Sequence, residues 1–305
     1  MKFDIITFGS AVKDIFVATD LADRGNFIAY PIGAKILIKE LRYDIGGGGT
    51  NTAVAFSRLG FRTGYVGKVG DDANGYDILN LLKKEKVTFL GSIEKKRITG
   101  FSIILDSKEN DRTVLTYKGI NDTIHFKDIK LRKLNTGWLY CSSMVGKSLD
   151  TQISLVRKLK LNGVKIAYNP SSYLTKRKDL IEPLLMMADI LILNKEEAGM
   201  LTRRDDLLKG LHDITGGLVV ITDKDKKIKA YDGNKKYHLT PNRKVNVRER
   251  TGAGDAFASG FVAGQMVGRD IHSSLKLGLM ESESVIKYYG AKNNLLRMNL
   301  KRGKS

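Results

Sequence analysis

The stretch DILILNKEEAGML, residues 189–201, sets four consecutive aliphatic residues directly before a charged segment that reads as a helix. An apolar run without alternation needs cover on both faces, which is the environment of a parallel strand between two helix layers. The same rhythm extends outward. Upstream, VKIAYN (164–169) precedes a helix over Asp179–Met187, and WLYCS (138–142) precedes one over Asp150–Leu161. Downstream, GLVVIT (217–222) ends before a charged turn. Strands alternating with helices indicate an α/β fold with a doubly wound, mostly parallel sheet. Ligands bind beyond the carboxyl ends of such strands, so the polar residues there, Asp14, Asn169, Asn194 and Thr222, are candidates for contact.

The N-terminal part reads as shorter strands at Asp4–Gly9, Ile15–Thr19, Ala34–Tyr43, Gly100–Asp106 and Arg112–Tyr117, the last two joined by the turn SKEN at 107–110. A helix over Asn51–Gly60, a strand at Thr63–Gly70 and a helix over Tyr76–Val87 lie between them. No repeat, low-complexity tract or proline-rich linker divides the chain, so residues 1–305 read as a single domain.

Composition limits the function classes. With 305 residues and 42% apolar content, a full core is available. No run approaches the ~18 apolar residues of a membrane span, and MKFDIITFGS lacks the features of a secretory signal, so a cytoplasmic location is expected. The single cysteine, Cys141, excludes an internal disulfide and a zinc ribbon. A net charge of +19 raises nucleic-acid binding as a possibility. The basic runs near Lys83, Glu94, Lys176, Asp223 and Lys301 are scattered and carry no interleaved aromatics, which favours a solvated surface. The positive field also favours an anionic substrate.

TGAGDAFASGFVAG, residues 251–264, places an acid at the start of a helix of small and apolar residues. Unpaired N–H groups and the helix dipole make such a terminus an anion site. Gly252 and Gly254 remove side chains that would block an oxyanion. Asp255 would accept a proton from a hydroxyl while the N–H groups of Gly252, Ala253 and Gly254 hold a phosphoryl group. An acidic N-cap before a tightly packed helix remains an equal reading of this segment alone. The glycine run in DIGGGGTN, residues 44–51, reads as a connector or as a pliable hinge beside the polar cluster Thr50 and Asn51.

In this order, GGGGTN, GDDANG and, far downstream, TGAGDAF resemble the two signature motifs of the ribokinase-like (pfkB) carbohydrate kinase family. The resemblance runs from FGSAVKD at Phe8 to YGAKNNLL near the C-terminus. It implies a ribokinase-like sheet with helices on both faces and a small β lid from about residues 15–43 and 99–118. It implies transfer of the ATP γ-phosphate to a hydroxyl of a sugar or related polyol, with Asp255 as base and Gly252–Gly254 as anion hole. By the same resemblance Asp14, Gly46, Gly47 and Asn51 bind the acceptor, and Asn194, Glu197, Thr222 and Thr251 lie beside the nucleotide. Glu197 would reach Mg2+ through water, and Glu249 marks a possible K+ site. Asn194 and Glu197 also read simply as a capping box. A homodimer through the lid is implied as well.

The chain departs from the family in places. The usual Thr-x-Gly-x-x-Gly loop becomes Thr222 followed by Asp223, Lys224, Asp225, Lys226 and Lys227, so lysine charge would replace close backbone approach to the nucleotide. Glu281 stands where relatives often carry an asparagine near adenine. Gly48 replaces a lysine of the ribose-specific members, and CSSM offers no sugar-binding acid. Phe16, Tyr30 and Phe101 are candidates to stack on a base or to fill the lid core. A nucleoside acceptor and a non-catalytic sugar- or nucleotide-binding regulator therefore stand as alternatives.

Overall fold

Residues 190–193 are buried on both sides because they alternate between two cores. Leu191 and Leu193 enter one, with Leu184, Leu185 and Leu211 from the helices Lys178–Met187 and Leu207–Thr215. Ile190 and Ile192 enter the other, with Phe257, Phe261 and Leu275 from the helices Ala253–Met266 and Ile271–Val285. Side chains on a strand point to opposite faces in turn, so helices cover both faces as the apolar run requires. Each fully buried aliphatic side chain contributes about 1.5–3 kcal/mol.

A computed structural model of the chain describes residues 1–301 apart from 22, 26, 107–111, 225 and 242–244. The turn expected at 107–110 and Asp225 lie outside the described residues. The large sheet runs, from edge to edge, Lys236–Leu239, Ile228–Tyr231, Leu218–Thr222, Ile190–Asn194, Lys165–Asn169, Thr136–Ser142, Phe3–Phe8, Thr63–Val66 and Thr88–Phe89. Every pairing from Leu218–Thr222 to Thr88–Phe89 is parallel. The antiparallel hairpin Ile228–Tyr231 and Lys236–Leu239 closes one edge; its charged sequence hid it. No helix among the described residues is long and apolar enough to cross a membrane.

A second sheet has four strands in the order Arg112–Tyr117, Phe101–Asp106, Val12–Ala18 and Glu40–Gly46. The strand expected over Ala34–Tyr43 begins only at Glu40, because its partner ends at Ala18, opposite Glu40. Lys39 still donates to the Ala18 carbonyl at 2.9 Å, and residues 34–38 lie beyond the end of that partner strand. Asp14 does not close a strand of the large sheet. It sits mid-strand in this second sheet, opposite both Asp44 and Ser102.

Candidate active site

The helix Ala253–Met266 starts from Gly252, which sits at φ +77°, a left-handed conformation that favours glycine. A Cβ on Gly252 would fall 2.5 Å from the Ala291 Cβ, so a second constraint requires glycine there. A Cβ on Gly254 would meet no protein atom within 4 Å. Gly254 instead opens onto a cleft. The Ala253 N–H already donates to the Arg250 carbonyl at 3.2 Å. Of the three donors expected to form the anion hole, this leaves the N–H groups of Gly252 and Gly254 for a ligand.

Asp255 stands on the first turn and accepts a 2.7 Å hydrogen bond at Oδ2 from the Asn51 side-chain amide. Burial raises its pKa, opposed by that hydrogen bond and by the charge of Lys292. Lys292 is 3% exposed. Its ammonium donates to Asn51 Oδ1 at 2.5 Å and to the Ile45 carbonyl. Burial pulls its pKa down to about 8, against the attraction of Asp44, Asp14 and Asp255. Asp14 moves the other way, up to about 6, mainly through burial, with the Lys292 charge and a Ser102 hydrogen bond lowering it and Asp44 and Glu249 raising it. Glu249 is buried and accepts the Gly290 N–H at 2.7 Å.

The glycine run behaves differently from a pliable hinge. A Cβ on Gly46 would fall 1.9 Å from Asp14 Oδ2, and one on Gly47 would fall 2.4 Å from the Ser10 carbonyl. On Gly48 it would meet Ser142 Oγ at 2.9 Å, and on Gly49 the Gly9 carbonyl carbon at 2.6 Å. Close packing explains these glycines, against the side chains of Asp14 and Ser142 at Gly46 and Gly48 and against the backbone of Ser10 and Gly9 at Gly47 and Gly49. Gly47, at φ +95°, turns the chain from the strand Glu40–Gly46 into the helix Gly48–Arg58.

Two cavities meet at this helix terminus. The first, about 370 Å3, is walled by Ser10, Gly48, Lys118, Ser142, Asn169 and Asp255, among others. The second, about 780 Å3, is rimmed by Lys195, Lys224, Lys226 and Arg250 and has apolar walls at Ile228, Val247, Leu279 and Ile286. Asn194, Thr222, Gly254 and Phe257 line both. Asp14, Gly46, Gly47 and Asn51 line neither. Asn51 instead contacts Asp255, and Asp14 packs against Gly46. Thr251 likewise lines neither cavity.

On the side of the second cavity, Asn194 ends its strand and caps the helix Lys195–Leu201. Its Oδ1 accepts the Glu197 N–H at 2.9 Å, and Glu197 Oε2 accepts the Asn194 N–H at 2.9 Å. The capping box therefore exists, and both residues also face the first cavity. Burial raises the Glu197 pKa. Lys224 takes φ +48°, a left-handed conformation that favours glycine. Glu281 lines neither cavity. It is 0% exposed, with Oε2 accepting the Leu296 N–H at 3.0 Å. Leu279, Ser282, Glu283 and Ile286 form the face of that helical segment that lines the cavity, and Glu281 lies off it. Phe16 is buried beneath the Arg42 guanidinium, 5.7 Å from its ring centre, and so belongs to the core of the second sheet.

Comparison with known proteins decides the family. The model of the pfkB family carbohydrate kinases matches residues 5–297. The chain belongs to the pfkB carbohydrate kinase family. An uncharacterized sugar kinase from Archaeoglobus fulgidus is 28% identical over 254 residues, covering 80% of this chain and 99% of its own length. A cytidine kinase from Thermococcus kodakarensis is 34% identical over 148 residues, 46% of this chain and 53% of its own. A ribokinase II from E. coli, solved with ATP and Mg2+, superposes with a TM-score of 0.83 at 17% identity, covering 99% of this chain and 97% of its own. The fold is thus ribokinase-like, and this pfkB-family protein is an ATP-dependent phosphotransferase acting on a hydroxyl acceptor.

Three site residues of this pfkB kinase escaped the sequence. Asp44, Lys118 and Lys292 were each visible beside a motif, yet nothing in composition separates them from the chain's other charges. Burial is the signal that singles out Lys292, and only the fold supplies it.

Proposed function

We propose that the protein phosphorylates a primary hydroxyl of a sugar or similar polyol, with Asp255 as the general base. The observation that carries this reading is the meeting of the two cavities beside Asp255, one polar and one cationic, at the N-terminus of a helix. A carboxylate with a raised pKa suits proton abstraction near neutral pH. The acceptor O–H proton passes to Asp255. The acceptor oxygen then bonds to the γ-phosphorus as the bond to the ADP oxygen breaks. The Gly252 and Gly254 N–H groups and the helix dipole stabilise charge on the transferring group.

The cationic rim and apolar walls of the larger cavity suit a nucleoside triphosphate, and its volume falls in the usual range for small-ligand sites. Glu197 already accepts backbone N–H groups, so its fit to magnesium is through water. The ion supplies charge neutralisation among the phosphates when bound. Potassium belongs to the same proposal: Glu249 keeps an acid near the helix entrance, and assays with and without potassium check it. The four-stranded sheet would act as a lid that excludes competing water. Its exposed Tyr43, Leu115 and Tyr117 make it the proposed face of a homodimer, checked by sedimentation.

The hydroxyl- and amide-lined first cavity favours a polyol over a nucleobase. The likeness to a cytidine kinase supports a nucleoside as the second reading. Nucleoside diphosphate release from MgATP with D-ribose, D-fructose, adenosine and cytidine in parallel separates the two. Turnover with a sugar alone supports the first, and turnover with nucleosides alone supports the second. No turnover with any of them, while one still raises the melting temperature, would favour a binding protein.

A further inference from the structure

A lysine carries three donors and no acceptor, and an asparagine amide carries both. Lys292 Nζ lies 2.5 Å from Asn51, so the oxygen end of that amide must face it. The nitrogen end must then face Asp255, where Nδ2 lies 2.7 Å from Oδ2. Flipping the amide would set two donors together and two acceptors together. The Asn51 bond occupies Oδ2. Oδ1 is left on the side of Gly48, 3.5 Å from where a Cβ on that residue would stand, at the wall of the first cavity.

We propose that Lys292 is a positioning residue for Asp255, acting through the Asn51 amide. The inference rests on the reading of Asp255 as the base and names what aims it.

The segment bearing Lys292 is itself fixed. Gly290 donates to Glu249 at 2.7 Å, and Ala291 packs against the bare Cα of Gly252. The Lys292 carbonyl accepts a 2.6 Å bond from Arg58, whose guanidinium also grips Glu85 at 2.6 and 2.9 Å. The ammonium is therefore delivered from a braced backbone to the end of the strand Glu40–Gly46 and the first turn of the helix Gly48–Arg58. The charges around it are Asp14 and Asp44 on the four-stranded sheet, Asp255 on its helix and Arg58 on the helix Gly48–Arg58. The Glu249 charge acts in turn on Asp14.

The test compares Lys292→Met, Lys292→Gln, Asn51→Leu and the Lys292→Met/Asn51→Leu pair with the wild type. Two readouts are used. The first is kcat and KM against pH, with MgATP and whichever of D-ribose, D-fructose, adenosine or cytidine turns over. The second is a 13C carboxyl titration in which the Asp255 signal is identified by its loss in Asp255→Asn. Lys292→Met should lower kcat about ten- to a hundred-fold with KM for ATP nearly unchanged, the penalty of a misaimed base. Removing the cation should move the Asp255 titration and the acid limb of kcat up by about one unit. In the Asn51→Leu background the same change should lower kcat by less than about three-fold, because the relay is already broken. Lys292→Gln still donates to Asn51 without charge, so it should keep most of kcat yet share the shifted titration. It carries the test if the methionine variant does not fold.

Wild-type kcat in Lys292→Met, fully additive losses in the pair, or an Asp255 titration unmoved in both Lys292 variants would each overturn the inference. The titration decides this even if none of the acceptors turns over, an outcome that counts against the proposed function instead.

Discussion

The Asn51 side-chain amide donates to the Asp255 carboxylate at 2.7 Å, joining the first turns of two helices whose partners are 204 residues apart in the chain. That bond ties the glycine run to the first turn of the helix Ala253–Met266, so the two segments are built as one unit. Its consequences can be checked at the positions that flank it.

Gly252 and Gly254 should respond differently to alanine. Gly252→Ala forces a side chain into a left-handed conformation and against Ala291, which should cost about 2 kcal/mol or more. Gly254→Ala meets open space within a helix and should stabilise the fold by about 0.5–1 kcal/mol. Its methyl group nevertheless enters the cleft, so kcat/KM should fall. Denaturant melts beside steady-state kinetics test the pair, and unimpaired turnover in Gly254→Ala would place the phosphate elsewhere.

Lys224→Gly relieves the left-handed strain at φ +48° and removes a cation from the rim of the larger cavity. Stability should rise by about 1 kcal/mol. KM for ATP should rise about two- to five-fold, the effect of one partly solvated charge contact. An unchanged KM would show that the lysines after Thr222 do not touch the nucleotide.

How much of this was legible beforehand varies from residue to residue for physical reasons. The run at 190–193 announced a strand buried on both sides, and both cores confirm it. The glycines around Asp255 announced a helix terminus. Their spacing could not reveal that Ala253 would be engaged by Arg250. Glu281 was misread because a single position carries no helical phase; the face at 279, 282, 283 and 286 does. Lys292 is one of 52 Lys and Arg residues, and its burial follows from tertiary packing alone. The glycine run invited a hinge reading because its partners, Ser10, Gly9 and Ser142, are distant in sequence.

Glu197→Gln separates charge from capping. The amide oxygen can still accept the Asn194 N–H, so the helix Lys195–Leu201 should persist and the melting temperature should change little. If Glu197 orders magnesium through water, the Mg2+ concentration for half-maximal rate should rise several-fold. A magnesium titration with unchanged midpoint would leave Glu197 as a cap only.

Burial raises the Glu281 pKa to about 7 from 4.5. Between those values the folded chain holds a proton that the unfolded chain releases, so stability falls as pH rises through the window. Glu281→Gln removes that titration. The stability of the variant relative to wild type should therefore grow from pH 5 to pH 7.5, measured by urea unfolding at both. A difference independent of pH would mean that the carboxyl titrates normally.

Asp255→Asn tests the proposed chemistry most directly. The substitution keeps the size of the side chain and removes the proposed base from the wall of the first cavity. Measured as ADP release from MgATP with the responding acceptor, kcat should fall about 10²- to 10⁴-fold. The melting temperature should stay level or rise, because a buried carboxylate is replaced by a neutral group. Turnover within a few-fold of wild type in a folded Asp255→Asn protein would contradict the assignment of Asp255 as the base.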